Sequence, residues 1–167
     1  MKTIYLAGGC FWGVQKYFDQ FDGVLETQAG YANGGTEDPS YEEVCRGSGH
    51  AETVKVVYDE DVLPTAKLLA YYFDVIDPLA VNKQGPDVGV QYRTGIYYDE
   101  EAAKDAGFLA ELRAAWDKAA EDAGQPLATE LGPLANYYTA EEYHQKYLEK
   151  HPGGYCHIPA RFMHLEG

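Results

Sequence analysis

The sequence predicts an α+β protein, because strand-like and helix-like segments are mixed along the chain without a long βαβ series. Residues 53–58 alternate between apolar and polar positions, which is typical of a half-buried strand. Near the start, apolar side chains fall on one face of a helix at Phe11, Val14, Phe18 and Phe21. The chain of 167 residues has the size of one ordinary domain. We therefore expect a single domain over 1–167.

The elements follow from local patterns. Short β-prone runs, bounded by turn residues, indicate strands at 3–7, 24–31, 53–58, 92–98 and 127–131. Apolar residues at helical spacing indicate helices at 11–21, 63–76, 100–123 and 139–150, with a short helical turn at 41–45. Asp77-Pro78 and Gly124 end two of these helices. Residues 82–89 are predicted as a loop, and residues 151–159 as coil.

Composition excludes several kinds of partner. The formal net charge of −14 argues against binding to nucleic acid or to an anionic membrane surface. The sequence contains no apolar run near the ~20 residues that span a bilayer. Three cysteines without an export signal favour a reducing compartment. We expect a cytoplasmic protein and a monomer.

Cys10 lies between the first predicted strand and the first helix, directly after two glycines that allow a sharp turn. The position corresponds to a helix N-terminus, where free N–H groups favour a negative charge. Such a site can lower the pKa of a thiol and supply a thiolate nucleophile. Trp12 lies among polar neighbours on the same helix, so it resembles the wall of a site. The pattern predicts cysteine chemistry.

Glu52 is the acid with the most informative position. At the start of a strand, it shares a face with Val54, Val56 and Tyr58. A carboxyl group beside an apolar face tends to be desolvated, which raises its pKa and suits a general acid. A solvated glutamate at the end of a strand is the alternative interpretation.

Tyrosine is abundant, with 15 residues in the chain. Tyr41 and Tyr92 lie near polar or glycine-rich loops, where a neutral hydroxyl could bind an oxygen atom. Taken singly, each tyrosine fits a structural role better. Asp87, in a loop before a strand, could either serve a site or bond its own turn.

The two other cysteines have different contexts. Cys156 follows two glycines and a tyrosine in C-terminal coil, where a thiol could move to meet another sulfur; a bystander surface thiol is the alternative. Cys45 shares a helical face with Tyr41 and Val44 and is predicted to be buried. Neither the cysteines nor the histidines have metal-ligand spacing, so no metal is expected.

Five blocks of sequence, occurring in order along most of the chain, resemble the signatures of the A-type peptide methionine sulfoxide reductases. These blocks are Gly9-Cys10-Phe11-Trp12-Gly13, Gly30-Tyr31-Ala32-Asn33-Gly34-Gly35, Gly49-His50-Ala51-Glu52, Gly85-Pro86-Asp87-Val88-Gly89-Val90-Gln91-Tyr92-Arg93 and Glu142-Tyr143-His144-Gln145. The resemblance implies a two-layer α/β sandwich with a ferredoxin-like core, long coil segments and a coiled C-terminal tail.

The resemblance also implies how the site works on methionine S-sulfoxide, free or in a peptide. Cys10 attacks the sulfur, and Glu52 protonates the leaving oxygen. Tyr41 and Tyr92 are similar to the tyrosines that bind this oxygen, and Asp87 to a supporting aspartate. The residues similar to the pocket for the substrate methyl group are Phe11 and Trp12.

Recycling follows from the same resemblance. Attack leaves a sulfenic acid on Cys10, and a second thiol condenses with it to form a disulfide. Cys156 is similar to the first recycling cysteine of the family, so the implied disulfide joins Cys10 and Cys156. Thioredoxin, or a similar dithiol donor, is the implied reductant, and no cofactor is implied.

The chain departs from the family pattern in two places. Many relatives carry another cysteine after the position of Cys156, and this sequence ends at Gly167 without one. We therefore expect a cycle with two cysteines. The stretch 47–50 is also one residue shorter than the commoner pattern.

Other functions remain alternatives on the residues alone. A thiol peroxidase could use the same two cysteines, although it usually needs a positive group near the thiolate rather than Glu52. A binding module would need neither an acid nor a mobile thiol. A cysteine hydrolase would need a histidine base, and no histidine has a persuasive context.

Overall fold

The computed structural model describes residues 1–164 as a curled sheet with helices packed against it. The strands are β1 (Lys2–Gly8), β2 (Val24–Ala32), β3 (Ala51–Tyr58), β4 (Lys83–Gln84), β5 (Asp87–Val88), β6 (Thr94–Tyr98), β7 (Glu130–Pro133) and β8 (Tyr137–Thr139). The helices are α1 (Phe11–Asp19), α2 (Tyr41–Cys45), α3 (Thr65–Val75), α4 (Glu100–Ala103), α5 (Ala106–Ala123) and α6 (Tyr147–Lys150). Short 3₁₀ turns occupy Val90–Tyr92, Glu142–His144 and Ala160–His164. The predicted mixture of helix and strand is confirmed.

The main sheet of the described chain has six strands in the order β7-β6-β1-β3-β2-β8. The central strand β1 is antiparallel to both β3 and β6, and β3 is antiparallel to β2. Of the described strand pairs in this sheet, only β6 and β7 run parallel. Strands β4 and β5 form a separate small hairpin.

One face of the sheet carries the main core. Ile4 and Leu6 of β1 and Val54 and Val56 of β3 pack there with the apolar face of α1. The predicted stripe of α1 is confirmed, because Phe11, Val14, Phe18 and Phe21 are all buried in this core. A smaller cluster on alternate positions of the strands includes Tyr5, Ala7 and Ala51, with Tyr137 packed against it.

The strand register sets the place of the predicted site. Ala7 pairs with Thr53, so the end of β1 lies beside the start of β3. The chain turns after Gly8 and enters α1, whose first residue is Phe11. Cys10 and Glu52 therefore belong to the same end of the two central strands.

The helix predicted at 100–123 is divided into α4 and α5. Asp105 interrupts it because its Oδ1 accepts a hydrogen bond from the Phe108 N–H and caps the start of α5. Gly124 ends α5 in the left-handed conformation with φ 73°, as expected from the sequence.

The helix predicted at 139–150 is wrong. Thr139 ends strand β8, a 3₁₀ turn follows, and α6 begins only at Tyr147. Lys146 adopts a left-handed backbone with φ 55°, which breaks the helical path. Its N–H donates to Oε1 of the buried Gln15, a long-range contact that local periodicity does not contain.

Smaller differences concern the strands. The strand predicted at 127–131 lies at 130–133, and β8 is not in the prediction. The strand predicted from residue 92 begins at Thr94 after a 3₁₀ turn, and the loop at 82–89 contains the hairpin of β4 and β5. Among residues 1–164, no helix combines the length and the apolar character needed to cross a membrane.

Candidate active site

Cys10 occupies the N-cap position of α1, between the turn after β1 and the first helical residue. Gly9 makes the turn with φ 92°, a conformation that favours glycine. A Cβ atom at Gly9 would also lie 2.9 Å from Cβ of Gln84 and 2.9 Å from Nε2 of His157. The turn that presents Cys10 therefore requires glycine for both conformation and space.

The Cys10 thiol is buried, and its pKa is raised above the ordinary value. Burial is the largest cause, and the nearby carboxyl groups of Glu52 and Asp87 act in the same direction. The backbone N–H groups of Trp12 and Gly13 act to lower the pKa, but they do not outweigh burial. The free protein therefore holds Cys10 as a thiol, contrary to the lowering that a helix N-terminus alone suggests.

Glu52 is the second residue of β3 and is only 1% exposed. Its Oε1 accepts a hydrogen bond of 3.2 Å from the N–H of Phe11, the residue after Cys10. Its Oε2 is buried and has no hydrogen-bond partner within the described chain. Burial raises the pKa of Glu52 to about 8, so the carboxyl group is mostly protonated at neutral pH.

Tyr41 and Tyr92 come from separate elements, and the charge of Glu52 acts on both of their hydroxyl groups. Tyr41 is the first residue of α2, and Tyr92 ends a 3₁₀ turn. The pKa of each hydroxyl is raised, first by burial and then by the charge of Glu52. Both hydroxyl groups are therefore neutral donors within electrostatic reach of Glu52.

Asp87 lies on β5 and is half-buried. Its Oδ2 accepts a hydrogen bond of 2.9 Å from the Tyr155 hydroxyl, in the C-terminal coil. Its negative charge also raises the pKa values of Cys10 and Tyr92. Asp87 therefore borders the cysteine site and connects it to the coil.

Phe11 and Trp12 follow Cys10 but have different surroundings. Phe11 is fully buried against the rings of Tyr31 and Tyr41, with centroids 5.6 and 6.5 Å away. Trp12 is partly exposed and stacks on Tyr147 at 3.7 Å. Trp12 is thus the one of the pair that has a surface open to solvent.

Cys156 packs on the outer side of the first turn of α1. A Cβ atom at Gly13 would lie 3.1 Å from the Cys156 Sγ and 3.1 Å from Nδ1 of His157. The next residue, His157, places Nε2 2.9 Å from the carbonyl oxygen of Gly8. The coil therefore holds Cys156 against the helix turn that begins at Cys10, and both thiols are free.

Cys45 is exposed, so its predicted burial is wrong. Helix α2 has a single turn, and Val44 is its buried residue, so the face that carries Cys45 is left uncovered. Burial still raises the pKa of the Cys45 thiol, and the neighbouring Tyr41 side chain acts to lower it.

Sequence reasoning assigned no role to two polar side chains that support the site. Glu141 accepts hydrogen bonds from the Tyr31 hydroxyl at 2.6 Å and from the Tyr41 N–H at 3.0 Å. Gln145 bonds both the N–H and the carbonyl oxygen of Ala29 at 2.8 Å. The block around His144 was the available signal, but its function depends on contacts more than 100 residues apart in sequence.

The geometry limits the chemistry that this site supports. In the described part of the chain, no group of three or more His, Cys, Asp or Glu could hold a metal ion. A buried thiol instead lies beside a protonated carboxyl group and two neutral tyrosine hydroxyls. Together with a second free cysteine, this arrangement defines a cysteine-dependent oxidoreductase.

Comparisons with known proteins specify the family. Residues 2–165 match the family described as "Peptide methionine sulfoxide reductase". The chain is 55% identical to a peptide methionine sulfoxide reductase MsrA of Lachnoclostridium phytofermentans, covering 94% of this chain and 92% of the relative. It is 54% identical to MsrA of Clostridium acetobutylicum, covering 98% of each chain.

Solved structures agree with these relatives. The reduced form of Mxr1 from Saccharomyces cerevisiae matches with a TM-score of 0.83 and 38% identity, covering 93% of this chain and 88% of that one. Methionine sulfoxide reductase A of Corynebacterium diphtheriae matches with a TM-score of 0.79 and 35% identity, covering 95% and 82%. The chain belongs to the peptide methionine sulfoxide reductase family.

Proposed function

We propose that this peptide methionine sulfoxide reductase uses Cys10 as its nucleophile and Glu52 as its general acid. The reaction is the reduction of methionine S-sulfoxide, in peptides or free, to methionine. The observation that carries the residue assignment is the buried Glu52, whose pKa of about 8 keeps a proton beside the Cys10 thiol at neutral pH. A sulfoxide oxygen is a poor leaving group, so a positioned proton donor assists its departure.

In the first step, the Cys10 sulfur attacks the sulfoxide sulfur, and the S–O bond of the substrate breaks. The oxygen ends on Cys10 as a sulfenic acid, so the cysteine is oxidised and the substrate is reduced to methionine. Because the free thiol has a raised pKa, we infer that it ionises after the sulfoxide is bound and its oxygen interacts with Glu52.

Tyr41 and Tyr92 bind the same oxygen as neutral donors in this mechanism. Their raised pKa values support the role, because each hydroxyl keeps its proton at neutral pH. Asp87 supports the network through its charge and through its bond with Tyr155.

Phe11 and Trp12 hold the methyl group of the substrate. The partly exposed face of Trp12 supplies the contact surface, and the buried Phe11 ring fixes the start of α1 beneath it. An apolar wall of this kind favours a sulfoxide that carries a small alkyl group.

Cys156 resolves the sulfenic acid. Its thiol condenses with Cys10 to form a disulfide and release water, and thioredoxin or a similar dithiol then reduces the disulfide. The packing of Cys156 on Gly13 supports its access to the start of α1. The yeast relative Mxr1 has also been solved in complex with Trx2.

The sheet topology, the single main core, the free cysteines and the net charge support one catalytic domain over 1–167. They also support a cytoplasmic monomer. The strand order β6-β1-β3-β2, with α1 and α3 as connections, supports a ferredoxin-like core in a two-layer sandwich. One main core includes residues from β1 to the C-terminal coil. Free cysteines suit a reducing compartment, and a net charge of −14 opposes self-association.

The two sulfoxide epimers of methionine, each tested with thioredoxin, provide the direct assay. We expect turnover of the S epimer, no turnover of the R epimer, and loss of activity in Cys10→Ser. Turnover of hydrogen peroxide alone would favour a peroxidase and overturn the proposal.

Thiol counting tests the role of Cys156, because the chain has three cysteines. After one equivalent of sulfoxide, the parent protein should lose two thiols, whereas Cys156→Ser should lose one and stop at the sulfenic acid. The loss of two thiols in Cys156→Ser would instead identify Cys45 as the resolving cysteine.

A further inference from the structure

The imidazole of His144 packs against the two side chains of the predicted methyl pocket, Phe11 and Trp12, and is only 1% exposed. Its ring centroid is 4.4 Å from that of Tyr41, 5.2 Å from Phe11 and 5.8 Å from Trp12. Three of the side chains assigned to the site therefore pack on one histidine.

A directional contact joins His144 to Trp12. The indole Nε1–H of Trp12 donates a hydrogen bond of 2.9 Å to Nδ1 of His144. This bond requires a neutral imidazole that carries its proton on Nε2. Nε2 is buried and has no hydrogen-bond partner among residues 1–164, so Trp12 is the hydrogen-bond partner of the ring in the described chain.

The backbone around His144 is fixed independently of the ring. Its N–H donates to the carbonyl oxygen of Glu141 at 2.9 Å, closing the 3₁₀ turn. On the other side, Gln145 is bonded to both backbone groups of Ala29. The ring is thus presented by a rigid segment.

The surroundings keep His144 neutral. Burial lowers its pKa, and the positive charge of Lys150 on α6 acts in the same direction. Glu141 opposes them but does not outweigh burial. The ring neighbours from α1, α2 and the 3₁₀ turn are the uncharged Phe11, Trp12, Tyr41 and Tyr143.

We propose that His144 is a positioning residue that fixes the in-plane orientation of the Trp12 indole in the methyl pocket. Tyr147 stacks on Trp12 at 3.7 Å with an interplanar angle of 9°, which sets the plane of the indole. Stacking leaves rotation and sliding within that plane, and the directional hydrogen bond to Nδ1 removes them. The catalytic consequence rests on the proposed function, since it assumes that Trp12 contacts substrate.

Substitutions at His144 distinguish the effect of its hydrogen bond with Trp12 from the effect of ring packing. His144→Phe keeps a ring and removes the acceptor, whereas His144→Asn places an amide oxygen near the position of Nδ1. The exposed His151, whose ring is tilted against that of Tyr147 with centroids 4.5 Å apart, gives the matched control His151→Phe.

We expect His144→Phe to raise KM for methionine S-sulfoxide about fivefold to tenfold, the effect of losing about one hydrogen bond, while kcat stays within about twofold. His144→Asn should recover most of the loss, and His151→Phe should match the parent protein. A parental KM in His144→Phe, or a KM in His144→Asn that is no better, would overturn the proposal.

A spectroscopic measurement tests the contact without activity. The chain has two tryptophans, and the Trp116 indole donates to the Thr129 carbonyl oxygen at 2.8 Å. In a ¹H–¹⁵N spectrum, His144→Phe should shift the Trp12 indole resonance and leave that of Trp116 in place. If the variant does not fold, acidification of the parent protein provides the same test, because protonation of His144 removes the acceptor at Nδ1. The Trp12 indole resonance should then shift at a higher pH than that of Trp116.

The outcomes distinguish this inference from the proposed function. A Trp12 shift in a protein without sulfoxide reductase activity would support the hydrogen bond and reject the function. Two indole resonances that stay unchanged in His144→Phe, or that move together on acidification, would reject the positioning role in a protein that still reduces sulfoxide.

Discussion

In the proposed mechanism, burial prepares the acidic groups of Cys10 and Glu52 for one reaction. The pKa of each group is raised mainly by desolvation, and the charge of Glu52 further raises the pKa of Cys10. Both therefore hold their protons in the free protein near neutral pH. In the proposed first step, the oxygen of the bound sulfoxide takes the proton of Glu52. The sulfur of the same sulfoxide is attacked by the Cys10 thiolate.

Removal of the acid should slow the first reductive turnover. In Glu52→Gln the rate should fall about 100-fold or more, because positioned general acids contribute roughly 10²–10⁴-fold. The parent rate should decline as the pH rises through about 8, where Glu52 loses its proton, and this decline should be absent from the variant. Single-turnover measurements between pH 6 and 9 check both effects, and a parental rate in Glu52→Gln would remove Glu52 as the acid.

At the level of elements, the C-terminal coil packs against the first turn of α1. Gly13 leaves room for Cys156 and His157, while Tyr155 is bonded to Asp87 on β5. The coil has no regular secondary structure from residue 151 to residue 159, so these contacts fix its position. Packing rather than backbone hydrogen bonding thus places the second thiol.

A larger side chain at Gly13 should therefore disturb resolution more than reduction. Gly13→Val adds atoms where a Cβ would already lie 3.1 Å from the Cys156 Sγ, and the coil is expected to move outward. Disulfide formation should slow roughly tenfold or more, since small displacements of reacting groups have large effects on rate. Rapid quenching followed by thiol titration measures the rate of disulfide formation.

Gly132→Val is the matched control, because a Cβ at Gly132 in β7 meets nothing within 4 Å. It should leave both steps at parental rates. Equal rates of disulfide formation in Gly13→Val and the parent protein would show that the contact with Gly13 does not position Cys156.

The elements also show what local sequence patterns can predict. Helix α1 and strand β3 follow from periodicities of 3.6 and 2, whereas the place of Glu52 at the start of β3 left both a desolvated and a solvated carboxyl group open, and the side chain is buried. The segment 139–150 has a helical pattern, but it is divided among the end of β8, a 3₁₀ turn and α6. Its conformation depends on Gln145 bonding Ala29 and on Lys146 bonding Gln15, and such distant partners leave no local signal.

For the whole molecule, the buried histidines and Glu52 have opposite effects on how the free energy of unfolding changes with pH. His50, His144 and His157 have pKa values lowered from 6.5, mainly by burial. Glu52 has a pKa raised from 4.5 to about 8. The folded state therefore resists protonation of three histidines and ionisation of one carboxyl group.

These shifts predict that the free energy of unfolding declines between pH 6.5 and 8. Below pH 6.5 the unfolded chain binds protons that the folded histidines do not, so these groups lower stability as the pH decreases. From pH 4.5 to about 8 the folded state keeps the Glu52 proton that the unfolded chain releases, so this group lowers stability as the pH rises. Below pH 6.5 the histidines and Glu52 therefore act in opposite directions, and above pH 6.5 Glu52 dominates this set.

Urea unfolding from pH 5 to 8 tests this balance, with Glu52→Gln as the informative variant. The amide cannot ionise, so the variant should lose the decline between pH 6.5 and 8 and become more stable than the parent protein at pH 8. Below pH 6.5 the variant should lose stability as the pH decreases, because the histidines are unchanged and the opposing contribution of Glu52 is absent. A parent protein whose stability increases up to pH 8 would contradict the raised pKa of Glu52, and with it the protonated carboxyl group on which the proposed first step depends.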